Sequence, residues 1–547
     1  MRARERRPSP STLWICIAMT LLAAASGRSA LADGLSAINS QLFFETGANP
    51  LHPPAAGDQL GYAVAVGDFD GDGVDDLAIG LRDDDQPIGP IADVGQVQIR
   101  WGIAGPGLQP QGATMKYLWQ GGTSSVNDPE PGDHFGESLA VGDFDDDGFD
   151  DLAIGIPGED INTTSNGGAI EVRYGAATRS QALETRRQFF EENTPGVPDE
   201  AGVDDELGHA LAAGDFDGDT FDDLAIGVPL ESVSGFSDAG RVFVLYGSAS
   251  GIGVAGAQTL DHDTSGVPNN PQTGGLFGLA LAAADFDNDG VCDLAVGAPG
   301  DFFDRGIVFV LSGTASGLTG TGTDWFIQGV GGIADSQEGH DSFGYSLAVG
   351  SFNGDPFPDL AIGVPGEGIA DGGPEIAAAG AVHVLFGTAV GVTGSGSQFW
   401  TALSTGVPGE PELGDELGFS VAAGDFDNDG FDELAVGVPF EENFRGPEEG
   451  DVVVLPGSPS GPIGAGAATW NLEVPGIVGD MNPGDHLGWC LAVGDFDHNG
   501  AKDLAIGTPG DGNIGGVLAL YGNWLTGNLF SDGFESGNLT AWSTHTP

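Results

Sequence analysis

Asp68, Asp70 and Asp72 stand at alternate positions of one short stretch, Gly73 follows, and Asp76 closes the set at the ninth position. In a tight turn alternate side chains point inward, so these carboxylates converge on one point. Oxygen donors alone select a hard cation. Calcium takes about six to eight oxygens at about 2.3 to 2.6 Å, and a backbone carbonyl at the seventh position would add to the set. The glycine at the sixth position permits the chain to reverse.

The same arrangement recurs at Asp143, Asp145, Asp147 and Asp151, then at Asp215, Asp217, Asp219 and Asp223, then at Asp285, Asp287, Asp289 and Asp293. It returns at Asp425, Asp427, Asp429 and Glu433, and at Asp495, Asp497, Asn499 and Asp503. The third set carries Thr220 where the glycine belongs, which predicts a strained turn and weaker binding. A further copy reads Ser351, Asn353, Asp355, Pro356 and Asp359, with two of its four carboxylates gone, and is expected to be weak or empty. The sequence thus predicts calcium at about six sites. Gathering four carboxylates without a cation would be strongly repulsive, which argues against plain solvated turns. An EF-hand loop opens the same way but needs a bidentate Glu at its twelfth position and flanking helices. Here the twelfth position is Ile79, Ile154, Ile226, Val296, Ile362, Val436 or Ile506, an apolar core position.

The element that positions each loop follows from the repeat around it. The copies open at Asp68, Asp143, Asp215, Asp285, Ser351, Asp425 and Asp495, with spacings of 75, 72, 70, 66, 74 and 70 residues. Within the first copy, Ala63–Val66 and Leu77–Ile79 are short apolar runs, Gln96–Trp101 alternates, and Met115–Trp119 is an aromatic run. Four short strands per copy make a propeller blade, and the fold class predicted is an all-β, seven-bladed β-propeller. Six fourth strands follow the first six copies, and the seventh copy ends at Tyr521-Gly522 without one. Gln41–Glu45 resembles the other fourth strands and is expected to complete blade seven, closing the ring and removing its open edges.

The repeats resemble FG-GAP repeats, the units of the integrin α-subunit propeller. Phe135-Gly136, Phe343-Gly344 and Gly297-Ala298-Pro299 carry the naming motifs, which vary elsewhere to Leu417-Gly418 and Gly437-Val438-Pro439. The resemblance spans about residues 37 to 522. It implies a seven-bladed propeller with calcium in the loops between first and second strands, and an association with cell adhesion and matrix binding.

Residues 1–32 read as a secretory signal: Arg2, Arg4, Arg6 and Arg7, an apolar run from Leu13 to Ala25, and Ala30-Leu31-Ala32 as a cleavage site. The organisation predicted is a signal at 1–32, a propeller at 33–522 and a separate tail at 523–547, with a secreted or cell-surface destination. Acidic residues outnumber basic ones 81 to 16, for a formal charge of −65. Such a surface repels nucleic acid and anionic lipid and suits cations. No later segment is apolar for long enough to span a membrane. Only Cys292 and Cys490 follow the signal, at different repeat positions, so no disulfide is implied.

One face of the ring is expected to carry the cation loops together with uniform turns such as Gly247–Gly251 and Gly313–Gly317. The other carries long, varied loops, at Pro157–Gly167, Pro229–Ala239, Pro365–Ala379 and Pro439–Glu449. Variety on one face marks it as the binding face, for an extracellular protein or glycan. Its aromatics Phe236, Phe302, Phe303 and Phe444 are candidate contacts, and its acidic runs Asp83–Asp85, Glu441-Glu442 and Glu448-Glu449 read as solvated surface. No nucleophile elbow occurs. His134, His209 and His486 read as equivalent repeat positions beside one recurring turn, and so as following the repeat. Binding is therefore preferred over catalysis, the alternative being an exported polysaccharide lyase or phospholipase-like hydrolase on the same scaffold.

Overall fold

A computed structural model describes residues 34–44, 55, 57–85, 91–110, 115–120, 129–198, 201–370, 375–442, 447–477, 479, 481–511 and 514–522. The proposed signal at 1–32, the tail at 523–547, and Phe444 lie outside these residues. Among them, no helix is long and apolar enough to cross a membrane.

The strands form seven four-stranded antiparallel sheets, each in simple consecutive order except the last. The first sheet runs Leu60–Gly67, Asp76–Leu81, Gln96–Arg100 and Lys116–Leu118. Neighbouring first strands touch one another all the way round, so they line the axis of a closed ring. The fold is a seven-bladed β-propeller, as the strand count predicts.

The second strand of every blade is buried on both faces, and it reads Asp-Leu-Ala-Ile-Gly or a close variant. Its apolar side chains point alternately into the gaps on either side, so no blade owns a core. The apolar clusters straddle neighbouring blades instead. Phe69, Val97 and Ile99 of blade one pack with Leu152, Ile154 and Ile156 of blade two. The close approach depends on glycine: a Cβ on Gly80 would collide with the carbonyl oxygen of Gly136 in the next blade, and Gly136 itself holds φ +93°.

Ring closure uses the strand expected for it. Leu35–Phe44 pairs antiparallel with Gly516–Gly522, with Gln41 opposite Ala519 and Phe43 opposite Val517. The pairing is longer than the sequence indicates, because it resumes after an irregularity at Leu35 opposite Gly522. The two parts of the strand serve different seams. Leu35 enters the core between blades six and seven, and Phe43 the core between blades seven and one. Arg100 of blade one lies over the Phe43 ring, 4.0 Å from its centroid.

Phe43 is 1% exposed, so Phe43→Ala should open a cavity at the closing seam and cost about 3–5 kcal/mol in denaturant unfolding. Stability within about 1 kcal/mol of the parent would mean that the strand does not carry closure.

Candidate cation centres

Each acidic loop joins a first strand to a second, and a phenylalanine at its second position ties it to the interblade core. Phe69, Phe144, Phe216, Phe286, Phe352, Phe426 and Phe496 are all fully buried. The loop's own backbone amides then cap the carboxylates. In blade one, Asp68 Oδ1 accepts from Asp72 N at 3.0 Å and Asp68 Oδ2 from Gly73 N at 2.8 Å. Asp76 accepts from Phe69 N at 3.2 Å and from Gly102 N at 2.8 Å, which fixes it beneath the loop. The same pattern recurs in blades two, three, four, six and seven, as at Gly290 N to Asp285 Oδ2, 2.8 Å, and Gly500 N to Asp495 Oδ2, 2.9 Å.

Positions one, three and nine come together. Asp68, Asp70 and Asp76 each offer an oxygen within 4.8 Å of the others, as do Asp143, Asp145 and Asp151, and Asp215, Asp217 and Asp223. Position five is not in these three groups. Asp72 and Asp147 instead accept from the amide two residues on, at 3.1 Å each. Asp289 and Asp429 do the same in their loops, each at 3.0 Å. In blade seven Asn499 accepts from Ala501 N at 2.8 Å and donates to Gly522 O at 3.1 Å. In blade six Glu433 takes the ninth position and accepts from Phe426 N at 2.8 Å. All-oxygen, mostly anionic donors in a turn of this kind fit a hard divalent cation.

Blade five is built differently. Asn353 donates to Asp355 Oδ2 at 3.0 Å and accepts from Asp355 N at 2.7 Å, so its loop closes on an internal amide–carboxylate pair. Thr220 of blade three holds φ +84°, the backbone that Gly73 and Gly148 adopt at +84° and +85°. The expected strain is therefore present, in a β-branched residue.

Two features of these centres, and the burial of two acids on the opposite face, are not legible in the sequence. The eighth loop position couples neighbouring blades: Asp150 accepts from Asp68 N at 2.7 Å, Asp222 from Asp143 N at 3.0 Å, and Asp75 from Asp495 N at 2.7 Å across the closing seam. Arg179, on the third-to-fourth connection of blade two, reaches Asp70 at 2.5 Å and Asp72 at 2.8 Å in blade one. Arg186 pairs with Asp145. Two centres thus have a guanidinium at hand, and Arg179 shows that third-to-fourth connections share the face of the acidic loops. Finally, Asp84 and Glu449, read as members of solvated charge runs, are buried at 3% and 0% exposure. Phe303 is exposed at 82%, whereas Phe302 packs against the core between blades three and four.

Burial, and then the neighbouring loop carboxylates, push the ninth-position acids upward. Asp293 rises to about 7, Asp76, Asp151, Asp223 and Asp503 to about 8, and Glu433 to about 9. A carboxyl raised on folding favours the folded state while protonated, and that contribution is lost as pH climbs through the raised value. In a chelator, therefore, the melting temperature should rise as pH falls from about 9 to about 6. Added calcium should flatten or reverse the trend, since a bound cation replaces the protons. An identical slope with and without calcium, followed by scanning fluorimetry, would refute the loops as cation centres. Separately, Thr220→Gly should relieve the positive-φ strain, offset in part by glycine's unfolded-state entropy, for a net gain of about 0.5–1 kcal/mol. Denaturant midpoints measure it, and a loss of stability would show that Thr220 is unstrained.

A family model described as FG-GAP repeat matches residues 60–98, 135–170, 207–245, 277–311, 343–385 and 417–455. Each match runs from the start of a first strand, or just before it, into the third strand of the same blade. Phosphatidylinositol-glycan-specific phospholipase D of Bos taurus is 34% identical over 163 residues, covering 29% of this chain and 18% of that protein. Integrin alpha-PS2 of Drosophila melanogaster is 32% identical over 248 residues, covering 44% of this chain and 16% of that protein. The chain therefore spans less than a fifth of the length of either relative. A solved structure titled "Structure of Dos1 propeller" aligns at TM-score 0.41 and 11% identity, covering 90% of this chain and 96% of that one, too loose a likeness to add to the strand pairing. Six matched repeats, with a seventh blade of the same build, make this chain an FG-GAP repeat protein that resembles the N-terminal propeller of integrin alpha subunits.

Proposed function

We propose that the chain is an exported, calcium-stabilised binding module whose varied face takes an extracellular protein or glycan. Calcium is the cation that the oxygen-only loops suit, and near-millimolar calcium outside cells would fill even weak sites of about 10⁻⁴ M. Export rests on the basic and apolar pattern of residues 1–32.

The observation that carries the binding reading is an aromatic arc at the mouth of the ring. Tyr345, Phe419, Trp489 and Tyr62 hold equivalent positions where the chain enters the first strands of blades five, six, seven and one, at the end away from the acidic loops. Their rings follow one another at 5.2, 4.8 and 5.6 Å between centroids. Phe440, on a second-to-third-strand loop, adds an edge contact to Phe419 at 5.7 Å. All four arc residues are half-buried, which leaves ring faces and edges open to a ligand. Beyond Tyr62 the rim becomes polar. Arg82 lies over the Tyr62 ring at 5.0 Å and pairs with Glu137 at 2.8 Å. Burial alone would raise the Glu137 carboxyl, but His134 and Arg82 together pull it down to about 2, so it stays charged. His209, unlike His134 and His486, stands at the arc position itself, 3.9 Å from Glu137. A rim that is aromatic on one side and charged on the other suits a sugar or peptide with an apolar face and polar edges. The hydrolytic alternative draws on the phospholipase D relative, of which the match spans 18%.

A glycan and matrix-protein screen, run with calcium and with chelator, tests this reading. A ligand should bind in calcium only, and Trp489→Ala should weaken it at least about tenfold in protein that still melts in one cooperative transition, as loss of an aromatic anchor does. Failure to capture any ligand, or affinity unchanged in both Trp489→Ala and Phe419→Ala, would overturn it.

A further inference from the structure

The face opposite the acidic loops holds a second set of carboxylates. It lies where the fourth strand of one blade ends against the next. At the seam between blades two and three, Glu192 follows the fourth strand Arg187–Glu191, Asp205 sits in the turn that enters blade three, and Glu231 sits at the root of the 229–239 loop. Each offers an oxygen within 4.8 Å of the other two, and all three are buried.

Glu192 is the telling member. It is 0% exposed, and neither of its carboxylate oxygens has a hydrogen-bond partner. A carboxylate in that setting needs a proton or a cation. The nearby base does not meet the demand. Arg241 reaches Glu231 at 3.4 Å but also pairs with Asp261 at 3.0 Å, so one guanidinium serves among four acids.

Blades one, three and four resolve the same position with a neutral or basic donor, and blades five and six carry Ala402 and Leu472 there, which bring no charge. Gln120 occupies it in blade one and donates to Glu159, and Gln328 occupies it in blade four and donates to Glu367 at 2.6 Å. In blade three it is His262, 2.9 Å from Asp301, and Gly275 there replaces the acid that corresponds to Asp205. Glu192 adds charge where these residues supply a donor.

We propose that Glu192, Asp205 and Glu231 form a further calcium site, on the face opposite the acidic loops, that clamps the end of blade two to the root of a varied loop of blade three. Burial, and then Asp205, push the Glu192 carboxyl up to about 8, so near neutrality a proton and a cation compete for it. The ion would sit at an interblade seam, where the loop sites join strands within one blade.

Calcium bound to the full chain, counted by equilibrium dialysis and elemental analysis, tests the site. Glu192→Gln/Glu231→Gln should bind one ion fewer than the parent, and adding Asp215→Asn/Asp217→Asn in the loop of blade three should remove one more. The first pair should also raise the melting temperature in chelator more than in calcium, because it removes repulsion that the ion otherwise cancels. An unchanged ion count, or an equal rise in both media, would mean that a proton satisfies the cluster and would overturn the site. Should the variants fail to fold, anomalous scattering from parent crystals grown in calcium decides. A peak bonded to the three carboxylates supports the site, and none at that place, with peaks present in the loops, overturns it.

Discussion

No blade of this protein can bury its own sheet. Side chains alternate across a strand, and the second strand is buried on both sides, so each blade depends on two neighbours for its core. A linear stack would leave two apolar faces open to water. The ring closes for that reason, and the strand Leu35–Phe44 matters out of proportion to its length because it contributes to two of these shared cores at once. Glycines such as Gly80 and Gly136 have the same origin, since the backbones at the seam approach too closely for a Cβ.

A ring built this way can afford acidic loops that an isolated turn could not hold. The buried phenylalanine at position two anchors each loop, and in blade one amides from the loop and from the segment just after the third strand cap its carboxylates. What amides do not neutralise must be met by a cation or a proton, and burial, then the neighbouring loop carboxylates, push Asp76 up to about 8 and Glu433 up to about 9. The eighth-position acids then hydrogen-bond from loop to loop. Where they occur, the centres are linked around one face rather than standing as independent beads.

Repetition sets the frame, and departures from it mark where chemistry differs. Blade five exchanges carboxylates for an asparagine–aspartate pair that satisfies itself. Around the ring mouth, four equivalent positions become aromatic and the next becomes Glu137, so a symmetric scaffold carries an asymmetric rim. At the opposite-face seams, glutamine and histidine appear where Glu192 stands in blade two.

The sequence alone determined the period, the number of blades, the four strands of each, the acidic loops and the strand that closes the ring. The strands and the loops are local, since they depend on side chains a few residues apart whose spacing shows as alternation or as the Asp-x-Asp-x-Asp pattern, and the period, the blade count and the closing strand follow from counting how often those local patterns recur. It also marked Thr220 as misplaced, because a positive φ is required by the turn around it. What it could not decide lies between blades. Asp150 meets the amide of Asp68 across 82 residues, Arg179 meets Asp70 across 109, and Asp75 meets that of Asp495 across 420. Asp84 and Glu449 read as solvated because their neighbours in sequence are charged, but their neighbours in space bury them. Periodicity says that blades repeat. Only packing decides which face of one blade meets which face of the next, and so which acids share a seam, which arginine reaches a loop and which aromatics line the mouth.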